Sequence, residues 1–519
     1  MSPRGTIRVS LGLKGHESQA MQTTLRTREL STWLRRVTLR REWLLLCMAA
    51  WVAWWAGSAV ATGGSRASLA TMLAGAALGG TVVWALARGH VRERFLSVEA
   101  PVLLILASAL VFRIRDADSL AQNPLDPAGL FRVGCQGLAL LLAGLALTSD
   151  SKAAVDRVTT RPFRFYCAYL VVVFLGAPVS VNLPLTAYRG VDLLIGVLVV
   201  AAAYRAAGQS SLHRIERAIY WWTAALAVSA WIGILFFPGQ ALSHITSPLP
   251  WQLRGVLPAI SANGLGMVGV MLTIWSLGLL VSQREQLPAR RSVVRFMVVL
   301  GFITLVFAQY RTGYIAATIG LLVLLLLRGK LAGLWALAAV AVMLSLWGAA
   351  VFRQAEPVVL RGQPIQRAEE LSSRIDWWGK SIPVWRESPL IGRGLLTATR
   401  FEVLAKIGQT TTSTIHGTWV EALVGTGIIG VSLLAAFVLV LLARAFKEAL
   451  RRDGRIVPLL ILSIVLVRSA TGSSFEASGS GALLTLALAL YFRDPPRVAL
   501  RSQQVRWQGK AESSLEPGR

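Results

Sequence analysis

The stretch His416-Gly-Thr-Trp-Val-Glu-Ala-Leu-Val-Gly-Thr-Gly-Ile-Ile-Gly430 closes a long polar segment and runs straight into Val431-Ser-Leu-Leu-Ala-Ala-Phe-Val-Leu-Val-Leu-Leu442. An apolar run of this length matches a hydrocarbon core of ~30 Å, so it reads as a membrane helix entered from a loop. Upstream, Pro389-Leu-Ile-Gly-Arg-Gly394 has the residues of a tight turn. The polar and aromatic sequence before His416 begins near Val351 and is the longest non-apolar segment in the middle of the chain. Chemistry is therefore expected around this loop, and scaffold elsewhere.

Working outward, the chain of 519 residues is 54% hydrophobic and only 15% charged. That is too little charge to cover a soluble protein of this size, and apolar runs of spanning length recur throughout. The predicted fold class is all-α, a polytopic integral membrane bundle of about 12–14 helices. Fourteen candidate spans lie near 43–61, 68–87, 98–114, 131–148, 165–180, 186–204, 218–237, 262–282, 292–310, 312–328, 331–352, 417–443, 456–470 and 481–492. No cleavable leader is expected, because the first forty residues are polar and basic. Cys47, Cys135 and Cys167 fall in or beside apolar runs and read as packing residues.

A net charge of +27 would suggest nucleic acid in a soluble protein. Here roughly two thirds of the 53 Lys and Arg fall in alternate connections and the two tails, the asymmetry of the positive-inside rule. The expected organisation follows from it. Residues 1–41 form a basic cytoplasmic arm and 42–352 the first eleven spans. Residues 353–415 form a large extracytoplasmic loop, 416–492 the last spans, and 493–519 a basic cytoplasmic tail. The basic tails then call for anionic membrane lipids as partners, and no nucleic acid.

Several connections carry detail. Tyr188-Arg189-Gly-Val-Asp192 opens one span, and an Arg189–Asp192 pair at i, i+3 would let the acid sit close to the membrane. A Pro-rich outer connection, 238–261, ends in Trp251-Gln-Leu-Arg254-Gly255 before Asn263. Gln309-Tyr310-Arg311-Thr312-Gly313 allows only a tight hairpin and holds Arg311 at the membrane boundary. Within the long loop, Ala368, Leu371, Ile375, Trp378 and Ile382 recur at helical spacing, with Arg367, Glu370, Arg374 and Lys380 elsewhere around the helix. Pro383 is expected to end that helix, and Trp377, Trp378 and Trp385 to lay it along the interface.

The sequence has no Walker loop, dinucleotide fingerprint, metal-spaced His/Cys cluster or G-x-S-x-G elbow. Of five histidines, His244 and His416 alone map outward. An imidazole beside a glycine-turn loop can take a proton from a substrate; the plain alternative is a helix cap. Arg254 and Arg311 stand in short outer connections with almost no other charge. One such arginine would simply snorkel to headgroups, but two facing the same way as a histidine suggest a phosphate-bearing substrate. Asp116-Ala-Asp118 is a string of the kind that holds a divalent ion, yet Arg113 and Arg115 lie beside it, and no metal or other cofactor is expected.

These residues resemble signatures of the O-antigen ligase and Wzy-type polymerase superfamily of bacterial envelope glycosyltransferases, over roughly residues 180–445. The resemblance rests on Arg254-Gly255 with Asn263, on Tyr310-Arg311-Thr312, and on Pro389–Gly394 with His416-x-x-Trp-x-Glu421 and Gly427-x-x-Gly430. Gly417 stands where that family usually has Asn, and Tyr310 where a small residue commonly precedes the arginine. The resemblance implies that Arg254 and Arg311 hold the diphosphate of a polyprenyl-linked glycan and that His416 assists the acceptor hydroxyl. Arg189, Arg393 and Glu421 are possible supporting residues. Glu421, five residues beyond His416, lies about 140° around the helix and is expected to pack against another span. The implied activity is metal-independent transfer from an undecaprenyl-type carrier in the bacterial inner membrane, ligase-like with a lipid A-core type acceptor. A polymerase that extends a glycan chain is the alternative. A transporter or flippase would place ionisable groups near mid-membrane, where these spans are almost clean of charge.

Overall fold

The computed structural model describes residues 98–110, 127–147, 160–208, 210–244, 251–256, 258–282, 285, 287–329, 374–409, 414–451, 454–475 and 479–492. Twelve α-helices of more than one turn, α1–α12, organise these residues, and their one sheet is a short hairpin. They are α1 Ala100–Leu110, α2 Pro127–Leu147, α3 Phe163–Leu175, α4 Leu183–Ala207, α5 Ser210–Phe236 and α6 Ala262–Val281. The chain continues through α7 Arg291–Ala308, α8 Arg311–Gly329, α9 Arg374–Arg386, α10 Thr418–Leu450, α11 Val457–Thr471 and α12 Ser480–Tyr491. Among the described residues, six helices are long and apolar enough to cross a membrane, and five apolar helices are shorter. Eleven of the fourteen expected spans coincide with these helices. Those at 43–61, 68–87 and 331–352, with Asp116, Asp118 and residues 353–373, lie outside the described residues.

The helix ends follow local chemistry. Asn182 caps α4 by accepting from Leu185 N–H at 3.1 Å, and Pro184 sits in the first turn where no amide is needed. Ser261 caps α6 by accepting from Gly264 N–H at 3.2 Å. Gln309 ends α7 in the left-handed region, which leaves only Tyr310 before Arg311 starts α8.

Glycine sets how closely α6, α7 and α8 approach, as small residues do between membrane helices. A Cβ on Gly269 would lie 2.7 Å from Gly301 O, and one on Gly301 2.9 Å from Gly269 O. The Tyr310 side chain fills a slot between two further glycines. A Cβ on Gly266 would meet its Cβ at 2.3 Å, and one on Gly313 its Cδ1 at 2.4 Å. The large residue ahead of Arg311 is thus accommodated by missing side chains opposite it.

The α10 helix is not continuous. Gly427, at φ 65° and ψ −170°, breaks it one third of the way along. The Pro389–Gly394 turn fits into the break. Its Arg393 and Gly394 amides donate to the carbonyls of Val424 and Gly425, both at 3.0 Å. Its Pro389 and Leu390 carbonyls accept from Ile428 and Ile429, at 2.8 and 3.2 Å. Four backbone groups freed by the break are satisfied, as a membrane interior requires. Gly392, at φ 71°, lies so close that a Cβ would sit 2.4 Å from Thr426 N.

One sequence expectation fails in the loop helix. Pro383 does not end α9 but lies inside it. Proline removes one hydrogen bond, to the carbonyl of Gly379, on an exposed face, and the helix runs only one turn further. Ile375, placed on the apolar stripe by its spacing, is 51% exposed. The tryptophans of α9 pack inward instead, with Trp377, Trp378 and Trp385 against Val384, Ala398, Val403, Leu404, Ile415 and Val424.

The glycine slot predicts a contrast in stability. Gly266→Ala should destabilise the detergent-solubilised protein by about 1–3 kcal/mol, because it drives Tyr310 from its slot. Gly134→Ala, on the open face of α2 with nothing within 4 Å, should be neutral or stabilise by up to ~1 kcal/mol. Matching thermal midpoints for the two variants would contradict the packing described.

Candidate functional site

Three helix ends meet at one end of the bundle, and two threonines join them. Thr312, next to Arg311 at the start of α8, is 3.1 Å from Thr471 Oγ1 at the end of α11. Thr418, the first residue of α10, donates its hydroxyl to Gly472 O at 2.9 Å and accepts from Ser474 N–H at 3.0 Å. Trp419 Nε1 donates to Ser469 Oγ at 3.1 Å. The segment 469–474 is therefore a common anchor for the helix that carries Arg311 and the helix that follows His416.

His416 lies in the tight turn just ahead of α10, not on the helix. Its φ of 54° is left-handed, a conformation costing a non-glycine residue roughly 1–2 kcal/mol. The surroundings hold it there. Glu421, fully buried, reaches back and accepts from Ile415 N–H at 2.8 Å and from the Thr399 hydroxyl at 2.6 Å. Trp378 Nε1 donates to Ile415 O at 3.1 Å. Gly417 caps the helix with no side chain at all, so the imidazole is not the cap. A Cβ on Gly417 would lie 3.0 Å from Trp378 Nε1, so a larger residue there would press the indole aside by a few tenths of an ångström.

The imidazole sits 3.3 Å from Thr414 Oγ1 through Nδ1, and its ring centre is 6.2 Å from that of Trp377. Burial, and then the nearby Arg374 guanidinium, push its pKa down to about 4. At neutral pH His416 is therefore uncharged and able to accept a proton. Arg374, the first residue of α9, also lies within electrostatic reach of Tyr310. It thus stands between the His416 turn and the Tyr310-Arg311 hairpin. Sequence spacing put Arg374 merely among the polar residues of an amphipathic helix. Arg468 was not singled out either. It is one turn before Gly472, whose Cβ position would be 3.8 Å from its Nε. Among the described residues neither Arg374 nor Arg468 forms an ion pair. The only hint in the sequence was a charge at the end of an apolar run.

The other candidates divide. Arg254 is exposed and follows strand β2, Trp251–Leu253, which pairs with β1, Leu242–His244. Gln252 donates to Ala308 O and Gln309 to Trp251 O, both at 3.0 Å, which pins this hairpin beside the Arg311 turn. His244 is exposed in β1 with its ring 5.2 Å from that of Trp251. Arg393 clips the Pro389–Gly394 turn through Glu387 at 2.5 Å and Glu402 at 2.8 and 3.0 Å, a structural task. Glu421 does not simply pack against a span; it holds the His416 turn. Arg189 pairs with Asp192 at 4.0 Å. Among the described residues no group of three His, Cys, Asp or Glu could hold a metal ion.

Comparison with known proteins agrees with this geometry. The family model described as O-Antigen ligase matches residues 296–435, the stretch that holds Arg311, Arg374, the Pro389–Gly394 turn, His416 and Gly427. No curated protein matches the chain. A multi-pass helical bundle that presents these residues at one end accords with a role in membrane glycan transfer or polymerisation. The match over residues 296–435 supports the resemblance to O-antigen ligases and Wzy-type polymerases that the motifs carry.

Proposed function

We propose that the protein transfers a preassembled glycan from a polyprenyl diphosphate, of the undecaprenyl type, to an acceptor hydroxyl on the extracytoplasmic face of the bacterial inner membrane. The observation that carries this reading is the meeting of Arg311, Arg374 and an uncharged His416 around segment 469–474. Arg311 and Arg374 receive the donor diphosphate, with Arg254 on the adjoining hairpin and Arg468 at the rim. Guanidinium forks match its oxygens, and fixed cations stabilise the charge that develops there.

The acceptor oxygen attacks the anomeric carbon, the carbon–oxygen bond to diphosphate breaks, and its electron pair leaves on the polyprenyl diphosphate. The acceptor proton passes to the His416 imidazole. An imidazole this weakly basic orients the hydroxyl first and takes the proton as the new bond makes that oxygen acidic. A bound diphosphate offsets the charge of Arg374, which raises the proton affinity of His416 when it is needed. The acceptor is a glycan hydroxyl, that of a lipid A-core in the ligase form of the reaction. No step draws on a divalent ion.

Replacing His416 with Ala should lower turnover by roughly 10²–10⁴-fold, and His244→Ala should leave it intact. Arg311→Ala should cost about 10²–10³-fold, and Arg311→Lys should recover little because a point charge cannot form the fork. Full activity in the Lys variant, or activity lost to chelator and restored by magnesium or manganese, would contradict the mechanism.

The pH profile gives a second test. The acid limb of kcat/KM should fall near pH 4, where His416 gains a proton and activity is lost as pH drops. Arg374→Gln removes a cation that holds the pKa down, so its limb should move to higher pH. A limb near pH 6.5 in both proteins would show that the imidazole is not the group described.

A further inference from the structure

A second cationic cluster lies between α2 and α4, outside the site above. Arg132 Nη2 is 3.2 Å from Asp192 Oδ2, and Arg189 Nη1 is 4.0 Å from the same oxygen. Gln136 Nε2 donates to the other Asp192 oxygen at 2.5 Å, and Tyr188 OH donates to Gln136 Oε1 at 2.9 Å. Both guanidinium carbons stand 5.9 Å from the centre of the Tyr188 ring. Asp192 is 1% exposed, whereas Arg132 and Arg189 keep 17% and 15% of their side chains accessible.

Two guanidiniums thus share one buried carboxylate. The Nε of each is buried and, among the described residues, donates to nothing. Uncompensated charge inside an apolar bundle is costly, and an intramembrane arginine pair persists most readily where an anion completes it. A further described carboxylate, Glu421, lies within electrostatic reach of Arg189, yet one of its oxygens accepts from Ile415 N–H and the other from the Thr399 hydroxyl. The α4 helix that carries Arg189 also borders the segment leading to Thr399. Thr186, one helical turn before Arg189, is 2.7 Å from Thr397 Oγ1 in the segment leading to Thr399.

The surface around Arg132 indicates the ligand. Leu130 and Val133 beside it, and Leu141 and Leu145 further along α2, are 56%, 40%, 58% and 62% exposed. A headgroup at the arginines would have an apolar helix face for its tail. We propose that Arg132 and Arg189 form a second anion site that takes the phosphate of an amphiphile, apart from the diphosphate site at Arg311 and Arg374. The phosphate could be that of a membrane phospholipid or of a polyprenyl phosphate, which share this chemistry.

The test uses the full chain with Arg311→Ala, so that the donor site contributes nothing, in discs of zwitterionic lipid. Binding of farnesyl phosphate, of short-chain phosphatidate and of farnesol is measured by calorimetry. At least one of the two phosphates should bind and farnesol should not; which one binds names the source. Adding Arg189→Gln, which leaves the Arg132–Asp192 pair neutral and intact, should weaken that binding about tenfold or more. Arg132→Gln is the mirror variant, leaving Arg189 with Asp192, and should do the same if the first does not fold. No binding by either phosphate, or affinity unchanged in a folded Gln variant, would overturn the second site. Neither result bears on the activity assigned to His416, which is read separately by turnover.

Discussion

Everything at the functional end of this molecule depends on one exchange of backbone hydrogen bonds. A helix broken inside a membrane strands amides and carbonyls where no water can reach them. In α10 the break at Gly427 is matched by the Pro389–Gly394 turn, which donates to Val424 and Gly425 and accepts from Ile428 and Ile429. The exchange needs glycine at two positions with positive φ, 392 and 427, and a third at 425, where a Cβ would lie 2.6 Å from Leu395 Cα. In return it fixes the loop against the helix whose first turn follows His416. Glu421, one turn into that helix, then ties the loop to the turn a second time through Thr399 and Ile415.

The electrostatics follow the same frame. Acidic partners neutralise the structural arginines: Arg393 has Glu387 and Glu402, and Arg455, at the start of α11, has Glu216 and Glu285 at 2.8 Å each. Those two carboxylates hold the Arg455 guanidinium well above its ordinary range despite its burial. Among the described residues Arg374 and Arg468 have no acidic partner, and the proposed diphosphate would supply the missing negative charge.

Much of this was legible in the sequence. Apolar length placed eleven helices that the structure describes, and the residues of the Arg311 hairpin and the His416 turn stood out by their place at span ends. The rest depended on three-dimensional proximity. Arg374 looked like one of several charges on an amphipathic helix, because helical spacing says nothing of which loop the helix packs against. The Arg132–Asp192 contact joins residues 60 apart, so the sequence showed only the weaker Arg189–Asp192 pair. Pro383 was read as a stop, yet one lost hydrogen bond on an exposed face does not end a helix whose buried side is held by tryptophans. The unusual Tyr310 and Gly417 are explained only by their neighbours, the Gly266–Gly313 slot and the Trp378 indole.

The central claim is that Arg311 and Arg374 hold a diphosphate against an uncharged His416. Its most direct test is an experimental density map of the full chain in lipid discs with a polyprenyl-diphosphate glycan bound. The account predicts diphosphate density within hydrogen-bonding reach of both guanidiniums, with the anomeric carbon turned toward the His416 imidazole. Diphosphate density at the opposite end of the bundle, or His416 facing away from the bound glycan, would contradict it.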